Sequence, residues 1–150
     1  MRDYAKMFMD IACRTAEESN CVKLKVGAVC VRDNRIILQG YNGTISGFVN
    51  CCSMGWDLDS EDGKIQHHKW SSAFEIHAEM NILAYAARNG VSLSGTTLYC
   101  THEPCNNCLK HLIQAGVKMV VYKEGYNEPF TLKERSELLK FIYVAKFDCG

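Results

Sequence analysis

Helical and extended patterns alternate from residue 74 to residue 147 with only short joints between them, and a chain built this way has few ways to fold. Ile76, Met80, Leu83, Ala84 and Ala87 keep helical spacing over 74–89, and Gly90 supplies the stop. Residues 96–101 read as a strand. Pro104 opens the next helix, with Leu109, Leu112 and Ile113 facing inward and Gly116 ending it. A strand over 117–122, a helix near 131–139 and a strand near 141–147 follow. Upstream, Tyr4, Met7, Phe8, Ile11 and Thr15 mark an amphipathic helix over 2–18. The runs 26–31 and 35–38 form a hairpin about Asp33-Asn34. From 40 to about 70 periodicity disappears, and structureless stretches of that length are often functional. The order α-β-β-α-β-α-β-α-β predicts an α/β fold, a three-layer α-β-α sandwich around a mixed five-stranded sheet. With no linker or repeat in view, 1–150 is expected to be one domain.

Size agrees with that expectation. A chain of 150 residues has the length of one ordinary domain and buries about 70% of its unfolded surface. Apolar residues make up 47%, with 11 glycines and 2 prolines, so a disordered or collagen-like chain is excluded. Seventeen basic residues balance 17 acidic ones, which argues against a nucleic-acid or membrane-surface protein held by bulk charge. No run approaches 18 apolar residues, and the first six residues lack the apolar core of a signal peptide. The expected location is the cytoplasm.

Nine cysteines, at 13, 21, 30, 51, 52, 100, 105, 108 and 149, need an explanation. The number is odd and the cytosol is reducing, so metal ligation or buried thiols is a better reading than a disulfide framework. Two short pieces carry the chemistry: His77-Ala78-Glu79 and Pro104-Cys105-Asn106-Asn107-Cys108. Two thiolates two residues apart at a helix N-terminus can converge on one ion, and the helix dipole favours their charged form. His77 as third ligand gives a Cys₂His zinc site with one tetrahedral position open for water. Glu79, approaching from a different direction, is then free to carry protons.

Each feature alone has a plainer reading. Cys-x-x-Cys after a strand also suits a redox pair, a single histidine is usually a packed or surface residue, and Glu79 would be an ordinary first-turn acid. Together, His-x-Glu followed by Pro-Cys-x-x-Cys is the signature of zinc-dependent base deaminases.

The sequence resembles the cytidine deaminase superfamily and, within it, the deoxycytidylate (dCMP) deaminases of T4-type bacteriophages. The likeness runs from about Ser19 to Tyr126. It includes Lys25-Val26-Gly27-Ala28-Val29, Gly40-Tyr41-Asn42-Gly43, Val49-Asn50-Cys51-Cys52, Trp70-Ser71-Ser72 and Ala86-Ala87-Arg88-Asn89-Gly90. The resemblance implies a cytidine deaminase-like fold and hydrolytic deamination of dCMP to dUMP and ammonia, supplying dUMP for thymidylate synthesis. It implies catalytic Zn²⁺ on His77, Cys105 and Cys108, with Glu79 moving protons. It also implies substrate contacts from Asn42 to the sugar, Tyr126 over the nucleotide and Arg88 to the phosphate. Without the resemblance Asn42-Gly43 would read as a tight turn, Tyr126 as packing, and Arg88 as a dipole partner.

Cys21, Cys51, His67 and Glu75 match the positions of a second, structural zinc in phage-type relatives. A closed four-ligand site would staple the long aperiodic loop. Cys52 and His68 are adjacent alternatives, and Ser72-Ala73-Phe74-Glu75 fits a capping box that competes for Glu75. The loop of Gly40, Tyr41, Gly43 and Gly47 resembles one that helps bind regulators, dCTP activating with Mg²⁺ and dTTP inhibiting. A homohexamer is also implied, acting in the host cytoplasm if the gene is a phage's.

Three positions depart from the family pattern. Ile45 replaces a proline in the regulator loop, leaving it less preorganised. Glu103 stands before Pro104 where serine is more usual, and Glu-Pro-Cys is shared with tRNA adenosine and guanine deaminases. Ile82 falls where a small residue is preferred. The alternatives are therefore a deaminase of dCTP or of another nucleotide or base, or a zinc-stabilised interaction module without activity. Cys13, Cys30, Cys100 and Cys149 are left to packing.

Overall fold

The computed structural model describes residues 3–125 and 132–148. Helix α1 (Ala5–Ala16) precedes the hairpin β1 (Gly27–Arg32) and β2 (Arg35–Tyr41), whose Asp33 and Asn34 both have positive φ, 53° and 59°, as its tight turn requires. A two-residue strand β3 (Gly43–Thr44) and a 3₁₀ turn at Cys51–Ser53 lead to helix α2 (Glu61–Phe74). Then come β4 (Glu75–Ile76), α3 (Ala78–Asn89), β5 (Thr97–His102), α4 (Asn106–Gln114), β6 (Met119–Glu124), α5 (Leu132–Leu138) and β7 (Tyr143–Lys146).

The main sheet has the order β2-β1-β5-β6-β7. β1 is antiparallel to β2 and β5, while β5, β6 and β7 run parallel, so the sheet is mixed and five-stranded as expected. Alternation along β1 builds two cores. Ala28 and Cys30 face α3 and α4 with Ile82, Leu109 and Leu112, whereas Val29 and Val31 face α1 with Phe8, Met9 and Ala12. Gly27 is where α1 crosses closest: a Cβ there would lie 2.3 Å from Ala12 O and 2.4 Å from Ala16 N.

The departures concentrate between 40 and 77. The aperiodic stretch contains α2, and the expected helix over 74–89 starts four residues later, at Ala78. α2 has no broad apolar stripe, since only Gly63 and His67 are buried, so it shows little periodicity. Its start is nonetheless written in the sequence. Ser60 accepts a hydrogen bond from Gly63 N at 3.0 Å, and Glu61 and Asp62 follow in the first turn. Because α2 runs through Ser72, the capping box is overturned: Ser72 begins no helix, and Glu75 sits beyond the end of one. A second small ribbon, Gly43 opposite Ile76 and Thr44 opposite Glu75, ties the Gly40–Gly47 loop to the link before α3. Smaller shifts occur at α4, which starts at Asn106 after Pro104, and at β6, which lies two residues later than expected.

Candidate active site and metal clusters

Both motifs fall at helix starts on the same side of the sheet. His77 is the N-cap residue of α3 and Cys105 that of α4, each with extended backbone (φ −63°, ψ 152° and φ −67°, ψ 165°). Cys108 lies in the first turn of α4 and its amide donates to Cys105 Sγ at 3.4 Å. His77 Nδ1 is 3.2 Å from Cys108 Sγ and 3.7 Å from Cys105 Sγ. Bond lengths of about 2.0–2.3 Å put tetrahedral zinc ligands about 3.6 Å apart, so two sulfurs and one imidazole nitrogen already stand at the spacing of a Cys₂His centre. Electrostatics agree. Hydrogen bonds from Cys108 and then His77 bring the Cys105 thiol down to about 4, the thiolate form a metal takes. His77 is pulled up in turn, chiefly by its bond to Cys105, while Cys108 is pushed up by its bond to Cys105 and by burial.

Glu79 stands in the first turn of α3, 4% exposed, on the wall of a cleft of about 190 Å³. His77, Cys105, Asn42, Lys23 and His102 share that lining. One carboxylate oxygen, Oε1, accepts from the Cys100 thiol at 2.9 Å. Cys100 was expected only to pack, and no sequence motif connects it to Glu79.

The second group also converges. Donor atoms of Cys21, Cys51, His67 and Glu75 all lie within 4.8 Å of one another. Cys51 Sγ is 3.3 Å from His67 Nε2, and Cys21 Sγ donates to Glu75 Oε1 at 3.6 Å. All four side chains are buried, and burial pushes the Cys51 thiol up to about 11. Four buried donors with no open position fit a closed structural site. Cys52 and His68, the neighbouring alternatives, are exposed.

The substrate positions divide. Asn42 lines the cleft, but its amide also braces the cleft wall, donating to Leu24 O at 2.8 Å and accepting from Val26 N at 2.9 Å. One amide hydrogen and one lone pair remain for a ligand. Arg88 is exposed in the last turn of α3, about 16 Å along the helix from His77, and does not line the cleft of its own chain. Tyr126 and Cys149 lie outside the described residues. The Gly40–Gly47 loop borders a separate hollow of about 170 Å³, with Gly43, Ile45 and Asn50 in its wall. Gly40 itself is packed on α3, where an added Cβ would meet Ala78 O at 3.1 Å.

Residues 2–124 match the family described as the cytidine and deoxycytidylate deaminase zinc-binding region. The chain belongs to this family. The deoxycytidylate deaminase of Enterobacteria phage T4 is 37% identical over 153 aligned positions, covering 83% of this chain and 79% of the relative. ComE operon protein 2 of Bacillus subtilis (strain 168) is 44% identical over 111 positions, covering 74% of this chain and 54% of the relative. Among solved structures, dCMP deaminase from the cyanophage S-TIM5 in complex with dCMP and dUMP superposes with a TM-score of 0.78. It is 37% identical and covers 98% of this chain and 99% of its own.

As a deaminase-family chain, it carries side chains at the cleft that the motifs do not announce. Lys23 and His102 line it, and burial pulls the His102 imidazole down toward its neutral form. Behind the ligand loop, the buried Arg135 of α5 donates to the Pro104 carbonyl and lies 3.3 Å from Glu103 Oε2, clamping the segment that leads into Cys105. Arg135 has no local sequence signal, because its partners are about 30 residues away.

Proposed function

We propose that this chain deaminates dCMP to dUMP and ammonia, with His77, Cys105 and Cys108 holding a catalytic zinc and Glu79 carrying protons. The observation that carries the reading is a buried carboxylate on the wall of a cleft that His77 and Cys105 also line, beside the point where the donor atoms of His77, Cys105 and Cys108 converge. Zinc held there supplies Lewis acidity and acidifies a bound water. Glu79 accepts one proton from the water that attacks C4 and delivers it to ring N3. It then moves the second water proton to the departing amine, so ammonia leaves, C4 keeps the oxygen as a carbonyl, and N3 keeps its hydrogen. Asn42 orients the sugar with its remaining amide hydrogen and lone pair. A purely structural Cys₂His site would have no use for Glu79.

The choice of dCMP is supported by the family and by relatives that carry that name or were solved with dCMP and dUMP. Tyr126 is proposed to close on the nucleotide and Arg88 to meet the phosphate. Since Arg88 is remote from its own cleft, its role calls for a second copy, in keeping with a homohexamer. Cys21, Cys51, His67 and Glu75 are proposed to hold a structural zinc. The hollow beside Gly40, Tyr41, Gly43 and Gly47 is proposed for a triphosphate effector with Mg²⁺, dCTP activating and dTTP inhibiting. No helix among the described residues is long and apolar enough to cross a membrane, and the cytoplasm is the proposed location.

An ammonia-release panel across dCMP, dCTP, deoxycytidine and guanine, with and without dCTP or dTTP, tests this reading. Turnover of dCMP above the others is the expected result. Fastest turnover of guanine or dCTP would replace the substrate, and metal binding with no ammonia from any of them would reduce the chain to a zinc-stabilised module.

A further inference from the structure

Cys100 occupies the middle of β5, fully buried, with its backbone paired on both sides, opposite Ala28 in β1 and Tyr122 in β6. Its sulfur therefore has a place set by the sheet and not by a loop. The side chain belongs to the core between the sheet and α3, and its thiol donates to Glu79 Oε1 at 2.9 Å. Burial, followed by the charge of Glu79, keeps Cys100 protonated, so the sulfur is a donor. A carboxylate with 4% exposure has lost most of its water and gains from any fixed donor. A bond to one oxygen also fixes the plane of the group, because the two oxygens turn together about one torsion.

We propose that Cys100 is a positioning residue for Glu79: its buried thiol holds Oε1 and leaves Oε2 to meet the reacting atoms. The inference rests on the reading of Glu79 as proton carrier. It assigns a working role to a cysteine that buries itself like a small apolar residue and lies outside both metal clusters.

Cys100→Val keeps the shape and removes the donor, while Cys100→Ser keeps a donor. In the zinc-loaded protein, Cys100→Val is expected to lower kcat on dCMP about fivefold, as loss of a bond worth about 1 kcal/mol predicts. KM and the thermal midpoint should stay near wild type, and Cys100→Ser should recover most of kcat. A second readout needs no turnover. The S–H infrared band obtained by subtracting the Cys100→Val spectrum from wild type should sit at the frequency of a bonded thiol. In Glu79→Ala, with its own Cys100→Val as reference, it should move to that of a free one. Unchanged kcat in Cys100→Val, no recovery in Cys100→Ser, or a band indifferent to Glu79→Ala would each overturn the proposal. Wild-type protein that releases no ammonia from dCMP would overturn the functional reading, and Glu79's role with it, a failure distinct from an unmoved band in an active enzyme.

Discussion

Glu75 and His77 are separated by a single residue, and each belongs to a different cluster of side chains able to hold a metal ion. Both flank Ile76 on an extended link, where residues two apart point the same way, and both line the cleft. Glu75 reaches Cys21 and His67, while His77 reaches Cys108 and Cys105. The ribbon to Gly43 and Thr44 holds this link in place, and Asn81 Nδ2 adds a bond to Tyr41 O at 2.7 Å. The two clusters are thus joined through three residues of backbone.

Two zinc ions per chain are therefore expected in protein purified without chelators, and Cys51→Ser should lose one of them. The thermal midpoint should fall by about 5–10 °C, the size of a 2–3 kcal/mol loss in a domain of this length. Turnover should drop but survive, because His77, Cys105 and Cys108 are untouched. Metal analysis by mass spectrometry beside a melting curve checks all three statements. A wild-type ratio of one zinc per chain would remove the second site.

Glu79→Gln keeps the size of the side chain and one oxygen acceptor but cannot carry a proton. The variant should retain its zinc content and its fold, and lose about 10²- to 10⁴-fold in kcat. Ammonia release in parallel with zinc analysis tests this directly. Activity within tenfold of wild type would take Glu79 out of the mechanism.

How much of this was legible beforehand depended on range. The sandwich followed from local periodicity, since Leu109 and Leu112 show their inward face within α4. Helix α3, however, is turned from its expected stripe: it buries Ala78, Ile82 and Ala86 and leaves Ala84 and Ala87 exposed. The candidate ligands His77, Cys105 and Cys108 stood out because helix starts and Cys-x-x-Cys spacing are also local. α2 was hidden because a helix that buries only Gly63 and His67 has no stripe to read. The Cys100–Glu79 bond and the Arg135 clamp were out of reach for another reason. Each joins residues on different elements that meet only once the sheet has formed, and neither residue type announces its partner.

Gly27 offers a test of the fold itself. Its φ is not in the positive region, so backbone freedom is not what holds glycine there. The constraint is contact: a methyl group would overlap Ala12 O and Ala16 N, both backbone atoms that cannot turn aside. Gly27→Ala should push α1 off β1 and cost about 1–3 kcal/mol, lowering the thermal midpoint by several degrees. Gly43→Ala, with nothing within 4 Å of the added carbon, is the matched control and should melt near wild type. Equal melting of the two variants would show that α1 does not pack as described.

Stripped of metal, the first cluster should report on pH through its own ion pair. The Cys105 thiol lies at about 4 in the folded chain, below the ordinary value of about 8.5, and His77 lies above its ordinary value of about 6.5. A depressed group adds stability above its unfolded value and loses it as pH falls through the folded one. A raised group does the reverse, adding stability below its unfolded value and losing it as pH rises. Below about pH 6.5 the imidazole is protonated in both states, so down to about pH 4 the folded pair holds one proton while the unfolded pair holds two. Stability should therefore fall as pH drops from about 6.5 toward 4. Urea unfolding of chelator-treated protein at a series of pH values should trace this fall, and Cys105→Ser should flatten it. An acid limb that persists in Cys105→Ser would mean that other groups cause it and that the thiolate is not preformed.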